Sequence, residues 1–170
     1  FKSSGTTGKQ TSNHHVTDLS LYEESFVKGF RNQFPDYENS CIIALLPSYI
    51  EQGQSSLIYM VDHLINTTKN EHSGFYQVID HQLLSFLEHN ASPKILVGVS
   101  YALLELAKQQ VKLKNTLVIE TGGMKGRGKE LLRAELHDRL KKGLHVSKVH
   151  SEYGMTELLS QAYMINEHFS

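Results

Sequence analysis

The sequence predicts an α/β protein built on a mostly parallel sheet flanked by helices, and three observations carry that expectation. Apolar runs of strand length alternate with amphipathic stretches of helix length along nearly the whole chain, the order that winds into a parallel sheet. The strand-length runs, such as Cys41 to Leu46 and Ile95 to Val99, are continuously apolar, which suits burial on both faces. A length of 170 residues with 39% hydrophobic and 21% charged residues is enough for one domain with its own core, and excludes collagen-like, low-complexity and disordered classes.

The elements follow in order. Thr17 or Asp18 caps a helix carrying Tyr22, Phe26 and Phe30 on one face, ending near Asn32 to Pro35. Cys41 to Leu46 reads as a buried strand stopped by Pro47. After Gly53, Leu57, Ile58, Val61, Leu64 and Ile65 mark a second helix, and Phe75 to His89 carries Ile79, Leu83, Phe86 and Leu87 as a third, broken by Asn90 to Pro93. Ile95 to Val99 is the next strand. A helix follows with Leu103, Leu106 and Ala107 inward and Lys108, Gln109 and Lys112 outward. Thr116 to Ile119 is a strand, Gly122 to Gly128 a loop, and the next helix places Leu132, Leu136 and Leu140 on one stripe. Leu144 to Val149 reads as the last strand.

Charge and cysteine content narrow the function. Lys+Arg 17 against Asp+Glu 18 leaves a net charge of -1, with no basic footprint for nucleic acid. Cys41 is the only cysteine, so one chain holds neither a disulfide framework nor a cysteine-rich zinc site, and a reducing compartment fits. The apolar stretches fall far short of the ~20 residues that span a bilayer. The expected location is the cytoplasm, with no membrane span. Phe1 is not an initiator methionine, and the chain reads as a fragment forming a single α/β nucleotide-binding subdomain over 1–170.

In such a sheet, ligands bind outside the carboxyl ends of the strands, so three loops carry the functional reading. The first is Ser3, Ser4, Gly5, Thr6, Thr7, Gly8 and Lys9. Its glycines let successive amides point inward, its hydroxyls add donors and its lysine supplies charge, as a polyphosphate requires. Alone, it fits a solvated Ser/Gly tail equally well. The second runs from Gly122 through Gly123 and Met124 to Glu130. Gly123 to Lys129 matches the glycine, four residues, glycine, lysine spacing of a Walker phosphate loop, but Glu130 stands where a hydroxyl should hold magnesium. A loop allowing close backbone approach to a flat ligand, or a tight strand-to-helix turn, are the other readings. The third is Tyr153, Gly154, Met155, Thr156 and Glu157. Here an aromatic can stack on a base, Gly154 clears space, Thr156 can donate to a phosphate oxygen and Glu157 offers magnesium a hard oxygen ligand. A turn with Thr156 as a helix cap explains the same pentapeptide.

Together, the order and spacing of these loops resemble the adenylate-forming superfamily of acyl-CoA synthetases, adenylation domains and luciferases. His14 to Ser20, Leu46 to Tyr49 and Glu120 to Gly126 look like the LuxE-type acyl-protein synthetase branch, and the single lysine ending the first loop like its phenylacetate-CoA-ligase-like relatives. The resemblance runs from Phe1 to about Tyr163, and would make the chain part of the large N-terminal domain of such an enzyme. It implies a ligase that joins a carboxylic acid, most simply a fatty acid, to the α-phosphate of ATP with release of pyrophosphate, then passes the acyl group to a protein or thiol. Ser3, Ser4, Gly5, Thr6, Thr7, Gly8 and Lys9 would wrap the β- and γ-phosphates. Gly122, Gly123 and Met124 would lie along adenine, with Tyr153 and Gly154 on the ring. Thr156 would touch the α-phosphate, Glu157 would hold Mg2+, and Tyr49 would sit beside the acyl pocket.

Gln10 and Thr11 replace the proline and lysine that many relatives carry after the phosphate loop, and Ile50 replaces a frequent histidine. The ribose-binding aspartate, the lysine of the C-terminal domain and the strands upstream of the phosphate loop have no counterpart. The 170 residues alone are therefore expected to bind nucleotide poorly and not to turn over. An aryl- or acyl-CoA ligase, a phosphotransferase using Gly123 to Lys129, and a non-catalytic nucleotide-binding domain are the alternatives. The 10 His do not argue for a metal site: His14 and His15 are adjacent and point apart, and His81 and His89 lie too far apart on their helix. Cys41 opens an apolar strand and reads as a small buried hydrophobe.

Overall fold

The structure, a computed structural model, describes residues 1–2, 12–47, 54–122 and 131–164. Asp18 starts helix α1 (Leu19–Gln33) by accepting a hydrogen bond from the Ser20 N–H at 2.9 Å, which satisfies one of the amides a helix start leaves without a partner. Tyr22, Phe26 and Phe30 follow at one-turn intervals and are buried on one stripe. A short 3-10 turn, Tyr37–Asn39, leads into strand β1 (Cys41–Leu45), where every residue is buried. Helix α2 (Ser56–Thr68) is capped by the Ser55 hydroxyl, and helix α3 (His81–His89) by Asp80, which accepts from the Leu83 N–H at 2.8 Å. Between them lies a two-residue strand, β2 (Gly74–Phe75). The chain continues through β3 (Lys94–Val99), α4 (Ser100–Lys108), β4 (Thr116–Thr121), α5 (Arg133–Leu144), β5 (His150–Gly154) and β6 (Gln161–Met164).

The six strands form one sheet in the order β2-β1-β3-β4-β5-β6, with all pairs parallel except β5 and β6. The expected α/β architecture, a mostly parallel sheet flanked by helices, is the one observed. Helices α1 and α2 cover one face. Tyr22 ties them to the edge strand, its hydroxyl donating to the Ser56 carbonyl and accepting from Gln161 Nε2 at 3.0 Å. Helices α4 and α5 cover the other face and touch each other closely at Gly143, where an added Cβ would stand 2.5 Å from the Ala107 carbonyl oxygen.

Four expectations need correction. The third helix begins at His81, not Phe75, because Gly74 and Phe75 pair with Ile43 and Ala44 and Asp80 supplies the cap. Leu144 to Val149 is not the last strand: Leu144 closes the buried stripe of α5 with Leu136, Leu140 and Gly143, and His145 turns the chain through a left-handed conformation at φ 53°. The strand is His150–Gly154, which pairs with Ile119 to Thr121, so Tyr153 and Gly154 lie within a strand rather than in the loop beyond it. Leu132 precedes α5 and is 79% exposed, outside the stripe assigned to it. Lys112 lies beyond α4.

The α4–α5 contact yields a test. Alanine is about 1 kcal/mol better than glycine in an ordinary helix interior. At Gly143 the added methyl meets backbone instead, so Gly143→Ala should destabilise by roughly 1–3 kcal/mol, the usual cost of overpacking. A lower urea midpoint at unchanged slope is the expected result, and a raised midpoint would refute the close approach.

Candidate functional site

The polar residues of the sheet gather where β4 and β5 end. Strand β4 is apolar from Leu117 to Ile119 and then turns to Glu120 and Thr121, while β5 contributes Ser151 and Glu152 in register beside them. All four are buried. Alternate strand residues face opposite sides, so the four divide into two clusters. On the α4–α5 side, the Ser151 hydroxyl donates to Glu120 Oε1 at 2.6 Å and the Ser100 hydroxyl to Glu120 Oε2 at 3.2 Å. His137 Nε2, from α5, lies 3.0 Å from Ser151 Oγ and 3.6 Å from Glu120 Oε1. On the α1–α2 side, the Thr121 hydroxyl donates to Glu152 Oε2 at 2.5 Å. Glu152 otherwise meets an apolar lining that includes Ile42, Met60, Val97, Ile119 and Tyr163.

The electrostatics follow from that setting. Burial is the main reason the Glu152 carboxyl is pushed up to about 7; the Thr121 hydrogen bond opposes the shift and the nearby Glu120 charge adds to it. His150, at the start of β5, moves the other way, to about 4, chiefly because its ring is taken out of water. Sequence reading assigned no role to Ser100, His137, Ser151 or Glu152. The available signal was acidic residues inside or directly after apolar strand runs, where an isolated charge is costly to bury.

Just beyond these clusters stands the rim. Gly122 follows β4 with φ 71°, a left-handed conformation that suits glycine. Tyr153, at 49% exposure, and Gly154 close β5. Thr156 and the exposed Glu157 lie in the turn that follows, which the Leu158 N–H closes onto the Met155 carbonyl at 2.9 Å. From this turn the Thr156 hydroxyl donates to the Lys2 carbonyl at 3.4 Å. Lys2 is bridged antiparallel to Asn13, with Phe1 N donating to the His14 carbonyl at 2.7 Å and His14 N to the Phe1 carbonyl at 2.8 Å. The Lys2 N–H in turn reaches the Gln54 carbonyl, just ahead of α2, at 2.9 Å.

Of the sequence-predicted residues, Gly122, Tyr153, Gly154, Thr156 and Glu157 therefore share one end of the sheet. Ser3, Ser4, Gly5, Thr6, Thr7, Gly8, Lys9, Tyr49, Gly123 and Met124 lie outside the described residues, as do residues 125–130 of the Walker-like stretch. Their described flanks, Lys2 and Asn13 on one side and Gln54 on the other, meet beside Thr156. Among the described residues, no group of three or more His, Cys, Asp or Glu converges as a cage for a metal ion. Magnesium held largely by substrate phosphates needs only one or two carboxylates, and the exposed Glu157 suits that mode. No helix of the described residues is long and apolar enough to cross a membrane.

No family model, curated protein or solved structure matches this chain, so the likeness to adenylate-forming enzymes rests on its motifs.

The two shifted groups make opposite contributions to stability. Unfolded Glu152 ionises near 4.5 and folded Glu152 near 7, so its contribution is complete below the first value and lost as pH rises through the second. His150 titrates near 6.5 unfolded and near 4 folded, so its contribution is complete above 6.5 and lost as pH falls through 4. Over the shared range the two slopes cancel. Glu152→Gln should expose the His150 slope, with urea stability rising from about pH 4 to about 6.5. His150→Gln should expose the reverse, a fall from about pH 4.5 to about 7. Variants whose profiles are both as flat as the parent's would rule the account out.

Proposed function

We propose that the chain belongs to an enzyme that activates a carboxylic acid with ATP, forming an acyl-adenylate and pyrophosphate, and then transfers the acyl group to a protein or thiol acceptor. The observation that carries this reading is the Thr156–Lys2 contact. It sets the Tyr153 to Glu157 turn against the residues that immediately precede Ser3 to Lys9, while Gly122 stands at the end of the adjacent strand. Gly122, the Tyr153 to Glu157 turn and Lys2, the residue before Ser3, thus stand at one end of the sheet, although Lys2 lies more than a hundred residues from the other two in sequence.

The chemistry asks little of the protein beyond placement. The carboxylate oxygen attacks the α-phosphorus, the bond to the bridging oxygen breaks, and pyrophosphate leaves with that electron pair. Both reactants are anions, so alignment and charge neutralisation supply most of the rate, and no activated side-chain nucleophile is needed. Bound magnesium neutralises phosphate charge and fixes its orientation. Tyr153 offers a ring face to adenine, the Thr156 hydroxyl a donor to the α-phosphate, Glu157 a carboxylate to the metal, and Lys9 a positive charge to the outer phosphates. Tyr49 would border the acyl chain.

The reading is tested by carboxylate-dependent exchange of labelled pyrophosphate into ATP, using the longest natural form of the protein. Exchange should appear with a fatty or aromatic acid. Thr156→Ala or Lys9→Ala should lower it by about 10²-fold or more, the scale for losing one transition-state contact. Lys129→Ala should leave it intact. Absence of exchange with every acid tried would defeat the proposal, and loss on changing Lys129 alone would favour phosphotransfer through the Walker-like stretch.

A further inference from the structure

Glu152 links the two parts of the rim. Its Oε2 accepts from the Thr121 hydroxyl on the last residue of β4, one position before Gly122. Its Oε1 lies under the end of β5, where a Cβ on Gly154 would stand 2.8 Å away. One carboxyl group is therefore in contact range of both strand ends that lead into the candidate site, and it is buried. Nothing in the activation chemistry uses it directly: it faces the core, while Tyr153 and Glu157 are exposed.

Resting on the adenylation reading, we propose that Glu152 is a positioning residue, fixing the gap between Gly122 and Tyr153 by accepting from Thr121 while packing closely beneath Gly154, and so setting where the adenine base lies. The groups around it define what can disturb that hold. Glu120 faces away on β4 and is the nearest acidic charge acting on it. Tyr22 from α1 and Tyr163 from β6 feel its charge and are neutral phenols whose own ionisation is pushed up by burial. From α2, β1, β3 and β4 the neighbours are Met60, Val61, Leu64, Ile42, Val97 and Ile119, none of them charged. No cation on these elements offsets an ionised Glu152, but the Thr121 hydrogen bond favours the carboxylate, so ionisation strengthens the hold on Thr121 and the nucleotide gap should tighten as pH rises through about 7.

The test uses the longest natural form and reads KM for ATP separately from kcat in the exchange assay. Glu152→Ala and Thr121→Val should each raise KM for ATP about tenfold while kcat stays within about threefold, the scale of one hydrogen bond's worth of misplacement. Thr121→Ser, which keeps the donor, should restore the parent value. Glu152→Gln keeps the shape and the acceptor but cannot ionise. Its KM for ATP should stay level from about pH 6 to about pH 8, whereas the parent's should fall across the same interval as the carboxylate forms. Should Glu152→Ala fail to fold, Thr121→Val and the Glu152→Gln profile decide the matter. A folded Thr121→Val protein with unchanged KM, or parent and Glu152→Gln profiles that superimpose, overturns the positioning role while leaving adenylation standing. Loss of all exchange in the parent removes adenylation itself.

Discussion

Burial of the central strands on both faces governs everything else in this molecule. All five residues of β1 and all six of β3 are buried, with helices above and below. Each fully buried Val, Leu or Ile contributes about 1.5–3 kcal/mol relative to exposure, and an unpaired charge among them would remove more than that. Even Lys94, at the start of β3, keeps its ammonium by donating to the Asn90 and Ser92 carbonyls. Chemistry is thereby driven to the strand ends. Glu120, Thr121, Ser151 and Glu152 occupy the last buried positions before solvent, each acid receiving a hydroxyl donor.

How much of this could be read from residue order depends on the range of the interaction. Helix α1 was legible because Asp18 and the Tyr22, Phe26, Phe30 spacing are local, and β1 and β3 were legible because double-sided burial leaves an unbroken apolar run. The stretch from Leu144 to Val149 misled because Leu144 and Val149 suit a strand as well as a helix end. What decides is non-local, namely Gly143 against Ala107 and the register of His150 on Ile119. Strands β2 and β6 were invisible for the same reason: two and four residues carry no periodicity, and both exist by pairing at a sheet edge.

The candidate site divides along the same line. Tyr153, Thr156, Glu157 and Gly122 were legible through glycine and motif spacing, which are local features of the sequence. The residues beneath them did not. Ser100, His137 and Ser151 are ordinary residue types whose meaning appears only when α4, β4, β5 and α5 meet around Glu120.

Gly154 shows why the two layers should be argued together. As part of a nucleotide motif its missing side chain reads as room for a ligand. In the folded chain the same absence has an internal cause, because any Cβ there would crowd Glu152 Oε1 at 2.8 Å and the Gln161 side chain at 3.3 Å. The glycine that the proposed site would leave open above also admits a carboxyl group below. Replacing it would displace Glu152 from Thr121 as surely as it would obstruct the rim, so loss of function in a Gly154 variant cannot by itself be assigned to ligand contact. The separable variants are those at Thr121 and Tyr153, which alter one layer while leaving the backbone of the other in place.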